Sequence, residues 1–263
     1  MIFKRFAANL RAQNWFAILI EFAIVVAGVF VGTWVANLNQ ERVARADTIR
    51  LLDQLRPEIR YQEQQYRQFE RYLRTTDAYT KVALAGWQRE PGVTDNAFVV
   101  AAYHASQITG SATNTQTWAS IFGGHQVRNI RDRELRNRLI RVLSLDSNVT
   151  DYRQADTDYR KNVRQTIPDD VQTAIRTRCG EVAAADDISI AHLPPSCDLV
   201  LPAADATAVA AALRARPSLV NDLNWHRAAA ASLLYTYAGY VRTLKSLDEA
   251  IENSSERGAK VGR

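Results

Sequence analysis

Between Trp15 and Asn37 the chain reads WFAILIEFAIVVAGVFVGTWVAN, about twenty apolar residues interrupted by a single carboxylate, Glu21. At about 1.5 Å of rise per residue, a helix from Trp15 to Trp34 is roughly 28 Å long, close to the hydrocarbon thickness of a bilayer, with an indole at each interface. The run has no polar stripe, so a one-sided soluble core suits it poorly. It outlasts the apolar region of a cleaved signal sequence and carries no A-x-A cleavage site. The pattern predicts a cytoplasmic tail over 1–14, a transmembrane helix over 15–37, a periplasmic helical domain over 38–256 and a disordered tail over 257–263.

Flanking charge leaves the orientation open. Lys4, Arg5 and Arg11 precede the run and Arg42, Arg45 and Arg50 follow it, an even balance. The only two cysteines, Cys179 and Cys197, both fall in the large domain around Pro194-Pro195. A pair so placed is expected to form a disulfide in an oxidising compartment, which puts the N-terminus in the cytosol and the domain outside. The competing reading is two reduced thiols in a cytosolic domain.

The residues beyond the membrane run are rich in Ala and Arg and poor in Gly and Pro, a usage that favours helices. The net charge of +5 comes from arginines spread among acids, as in Arg131-Asp132-Arg133-Glu134, so it predicts a solvated, ion-paired surface and no nucleic-acid partner. Apolar residues continue at helical spacing from Asn39 to about Ala85, through Leu52, Ile59, Tyr66 and Leu73, with Pro57 expected to kink the backbone near 54–56. Glu90-Pro91-Gly92 marks a turn, and Thr94 or Asp95 caps a second helix through Ile108. A loop over Gly110–Asn114 and a short helix over Thr115–Phe122 ending at Gly123-Gly124 come next. A long helix is expected from Arg131 to about Gln165, stopped at Ile167-Pro168, then a short one from Asp169 or Asp170 to Arg178. An irregular stretch follows from Cys179 to Pro202, and an Ala-rich helix after Asp205. The final helix has the cleanest pattern: Leu219, Leu223, His226, Ala230, Leu233, Tyr237, Tyr240, Leu244, Leu247 and Ile251 alternate steps of four and three, a heptad seam. The fold expected is all-α: one transmembrane helix continuing into an antiparallel bundle of three long helices and several short ones.

Chemistry is sparse. His104, His125, His192 and His226 are far apart and in no metal-binding spacing, and no G-x-S-x-G elbow, phosphate loop or C-x-x-C is present. No metal, no cofactor and no catalytic residue are expected. His226 and Asp156 fall on or near apolar seams and suggest either a pH-sensitive pair or a satisfied core contact. Glu21 stands out, because a carboxylate inside a membrane costs a few kcal/mol and usually faces protein or snorkels. Helical spacing puts Val25, Gly28 and Gly32 on its face, and Gly28-x-x-x-Gly32 lets a second helix approach closely. Glu21, Gly28 and Gly32 are therefore the expected contact face inside the bilayer, for a second copy or another membrane protein.

Ile18 to Ala27, ILIEFAIVVA, resembles the start of type IV pilins, although the glycine that precedes a pilin processing point is replaced by Trp15, Phe16 and Ala17. A longer stretch is similar to uncharacterised bacterial single-pass inner-membrane proteins, through the E-F-x-x-V-V-x-G-V-x-x-G helix of Glu21–Gly32, the polar Asn37–Arg42 and the run Ile130–Arg136. That resemblance implies a single-pass topology and an exported helical domain, and no activity. The expectation is an interaction or accessory protein rather than an enzyme. The alternative is a sensory or ligand-binding module, whose signal would pass to a membrane partner because 1–14 is too short for an output domain.

Overall fold

The computed structural model describes residues 15–109, 127, 130, 132–143, 156–183 and 191–261. About 82% of these are helical, in seven helices, so the chain is all-α. The first helix, α1, spans Trp15–Trp87 without interruption, and Pro57 lies inside it. Its apolar beginning and its polar continuation are thus one element, as the unbroken helical spacing predicts. Among the described residues no side chain of the apolar part is buried. The first buried side chain of α1 is Thr48, and from Leu51 onward Leu52, Leu55, Ile59, Tyr66, Phe69, Tyr72 and Leu73 turn inward. The stretch from Asn37 to Thr48 is therefore a bare stalk of roughly 17 Å.

The partner of α1 is the last helix, α7, Ser218–Val261. Arg56 reaches Asp248 at 2.9 Å, the rings of Tyr66 and Tyr237 are 5.6 Å apart, and Arg227 reaches Asp77 at 3.0 Å. The rising numbers on α1 against falling numbers on α7 show that the two helices run in opposite directions. The seam is real: Leu219, Leu223, His226, Tyr237, Leu244, Leu247 and Ile251 are buried, and Ala230, Leu233 and Tyr240 pack partly against the same core. Helix α7 continues to Val261, into the stretch 257–263 where a disordered tail is expected.

Shorter helices fill the flank of this pair. Helix α2, Asp95–His104, starts where Thr94 accepts a hydrogen bond from Ala97 N–H. It stops four residues short of Ile108, because Ser106 N–H and its hydroxyl both return to Tyr103 O and tighten the chain into a turn. The long helix expected over 131–165 does not exist as one piece. Helix α3, Arg133–Leu143, is capped by Asp132, whose carboxylate accepts from Glu134 and Leu135 N–H. Helix α4, Asp158–Thr166, starts afresh at an extended Thr157 whose hydroxyl accepts from Arg160 N–H. A capping threonine inside an apolar period was the competing signal. Among the described residues two long helices, α1 and α7, form the frame. The loop over 110–114, the helix over 115–122 and the Gly123-Gly124 stop lie outside the described residues.

Helix α5, Asp169–Cys179, has Pro168 rather than an aspartate at its cap. The segment after it is less irregular than expected: β1, Val182–Ala183, pairs antiparallel with β2, Ala191–His192. Cys179 and Cys197 are bonded, with their Cα atoms 5.4 Å apart, which ties the end of α5 to the chain entering α6, Ala203–Arg214. Tyr79 donates to Pro194 O and Asn96 to Leu199 O, so the cross-linked segment is also anchored to α1 and α2.

Candidate functional site

The exposed part of α1 is the feature that a soluble fold does not explain. It is the one helix among the described residues long and apolar enough to cross a membrane. Trp15 is 65% exposed and Trp34 61%, with Phe16, Leu19, Phe22, Val25, Val29 and Phe30 equally open between them. Leaving so much apolar surface in water forfeits about 25 cal/mol for each Å², so the segment needs lipid or protein around it. Glu21, Gly28 and Gly32 all lie on this exposed length. A Cβ placed on Gly28 or Gly32 would meet nothing within 4 Å, so the strip they form is an open, shallow groove. Among the described residues nothing from another element packs on Gly28 or Gly32, and Glu21 is exposed.

Farther along, the same helix lines a cleft against α7. Leu73, Thr76, Asp77 and Thr80 form one wall, and Asn224, Arg227, Ala228, Ala230, Ala231 and Leu234 the other, around a volume of 510 Å³. The run Ala228–Ala231 opens it: Ala230 takes a seam position that leucine fills elsewhere on α7, and Ala228 and Ala231 add further small side chains to the wall. Thr76 and Thr80 are buried, and their hydroxyls donate to Tyr72 O and Thr76 O. At the rim Asp77 holds Lys81 at 2.9 Å and Arg227 at 3.0 Å. Burial alone would raise Asp77, yet the hydrogen bonds from Lys81 and Arg227 hold it below the ordinary carboxylate value. Leu234, a wall of this cleft, is not a seam residue, and the four-alanine run was the sequence signal that could have located it.

The His226–Asp156 pair does not form. Asp156 is exposed, and His226, fully buried on α7, instead has Thr157 Oγ1 at 2.6 Å from its Nδ1. The helix break that makes Thr157 a cap also turns Asp156 outward. Burial lowers His226 to about 4, with the Gln107 backbone opposing and the Arg160 charge assisting. His104, the buried last residue of α2, stacks on Tyr79 at 4.5 Å and meets the Tyr103 ring edge-on. It too is lowered to about 4, by burial and then by Arg164. His125 lies outside the described residues. Among the described residues no cluster of His, Cys, Asp or Glu could hold a metal ion.

Comparison of the chain with models of protein families, with curated proteins and with solved structures finds no match.

Proposed function

We propose that the chain is a single-pass protein of a bacterial inner membrane, with a cytoplasmic N-terminus and a periplasmic antiparallel helical bundle, serving as an interaction or accessory protein. The observation that supports this is the continuity of α1: an apolar length with no buried side chain among the described residues runs without a break, through a bare stalk, into the core helix of the body. Lipid covers most of that length. The Glu21, Gly28 and Gly32 strip receives a second helix, either another copy or a different membrane subunit, because glycines allow close approach and the carboxyl can hydrogen-bond across it. The Cys179–Cys197 bond favours the oxidising side for the body.

The cleft favours a second reading. It lies between the membrane-directed helix and α7, so a ligand seated there would bear on α1 itself, as a sensory module requires. The test is a phosphatase fused after Arg263, combined with purification in mild detergent and identification of co-purifying subunits. An active phosphatase and a reproducible membrane partner are expected. Activity from a cytosolic reporter alone would overturn the orientation, and a solitary protein carrying a small molecule would favour the sensory reading.

A further inference from the structure

Arg160 and Arg164 stand one turn apart on α4 and face the end of α2. Gln107 Oε1 accepts from Arg160 Nη1 and from Arg164 Nη2, each at 3.0 Å, so two guanidinium groups share one neutral oxygen. Arg160 Nη1 also donates to Ser106 O at 3.0 Å, and Arg164 Nε to Ser106 Oγ at 3.2 Å. The Arg164 guanidinium lies 4.8 Å from the centre of the Tyr103 ring. Every one of these acceptors is uncharged, and among the described residues neither arginine makes an ion pair. Glu181, a carboxylate that attracts Arg164 without pairing with it, accepts from the Tyr72 hydroxyl.

Two like charges held this close, half-buried, are unfavourable without a counter-charge. Burial and the Arg160 charge together push Arg164 below the usual arginine value. The C-terminal end of α2 offers roughly half a negative charge and Glu181 attracts Arg164 from nearby, yet no described carboxylate pairs with either guanidinium. Beside them His104 is fully buried, and neither of its ring nitrogens has a partner among the described residues. Arg160 Nε and Nη2 and Arg164 Nη1 donate to no described acceptor. Adjacent guanidinium forks fixed by neutral acceptors, with N–H groups in reserve, match the bidentate geometry of an oxyanion.

We propose that Arg160 and Arg164 form a binding site for a small dissolved oxyanion of the phosphate class, free or as a monoester. Lipid headgroups are too far away to be its source. The site packs on α7 beside His226, level with Asp77 on α1, and forty residues of helix separate Asp77 from Asn37, roughly 60 Å. The proposal does not depend on which side of the membrane carries the body.

The test measures thermal unfolding of the full chain in detergent against inorganic phosphate and glycerol phosphate, at ionic strength matched with chloride. A saturable rise in Tm is expected for the unaltered protein, absent in Arg160→Gln and partly kept in Arg160→Lys. A rise with glycerol phosphate alone identifies a monoester as the ligand. Without added phosphate, Arg160→Gln should melt no lower than the parent, since it removes like-charge repulsion. No response to either probe, or an equal response in Arg160→Gln, overturns the proposal. So does a lower Tm of the phosphate-free variant with an unresponsive parent, which would show that the pair only ties off α2.

Discussion

Acid should loosen the body through its two buried histidines. Both His104 and His226 are fully buried and lowered to about 4, whereas an unfolded histidine titrates near 6.5. What faces them explains the shift. Tyr79, Tyr103 and Arg164 surround His104, and Tyr159, Thr157, the Gln107 backbone and Arg160 surround His226, and among the described residues no carboxylate pairs with either ring to stabilise an imidazolium. Because the folded value is depressed, the unfolded chain binds more protons below pH 6.5. The stability from neutral histidine is therefore complete above pH 6.5 and lost as pH falls toward 4. From pH 7 to pH 5 the loss is about 2 kcal/mol for each histidine, about 4 kcal/mol together. In a domain of this size that is on the order of 10 °C in Tm. The paired aspartates Asp77, Asp95 and Asp248 are all held below the ordinary carboxylate value, so they titrate beneath this window. The assay is denaturant unfolding at pH 7 and pH 5, for the parent and for His104→Phe with His226→Gln. The double variant should lose most of the pH dependence, whatever its stability at pH 7. An unchanged difference between the two pH values would refute the assignment.

Other consequences follow from the packing. Leu244→Ala and Leu223→Ala remove fully buried seam side chains and should each cost about 2–5 kcal/mol, while half-buried Leu233→Ala should cost less, all read by denaturant unfolding. Gly86→Ala drives a Cβ into the Phe98 ring where α1 and α2 touch, and should lower stability by about 1–3 kcal/mol. Reducing the Cys179–Cys197 bond releases a loop with a separation of 18 residues and should cost about 3 kcal/mol, visible as a lower Tm in reductant.

The long-range frame was legible because helical periodicity carries it. The α7 seam and the inward row of α1 could be picked from spacing alone, and the turns at Glu90–Gly92 and Ile167-Pro168 from glycine and proline. What failed was local. Apolar spacing over 131–165 continues through Thr157, and only its extended backbone and the hydrogen bond that its hydroxyl accepts from Arg160 N–H show that a helix begins afresh there. That break also decides the fate of His226, whose partner is the capping threonine and not its acidic neighbour. The cleft and the arginine pair were invisible for a different reason. Each joins elements far apart in the chain, α1 with α7 and α4 with the end of α2, and no local pattern announces such a meeting. Glu21, Gly28 and Gly32 are the reverse case, plain in sequence and left uncovered by the fold.

The contact face is measured most directly in a membrane reporter of helix association carrying residues 15–37. The parent segment should associate. Gly28→Ile together with Gly32→Ile should abolish the signal by holding the backbones apart, and Glu21→Gln should weaken it less, because an amide still bonds and one such bond contributes roughly 0.6–2 kcal/mol. Glu21→Leu should weaken it more than Glu21→Gln. Association that survives both the isoleucine pair and Glu21→Leu undiminished would contradict a contact face at these residues and leave the helix as an anchor alone.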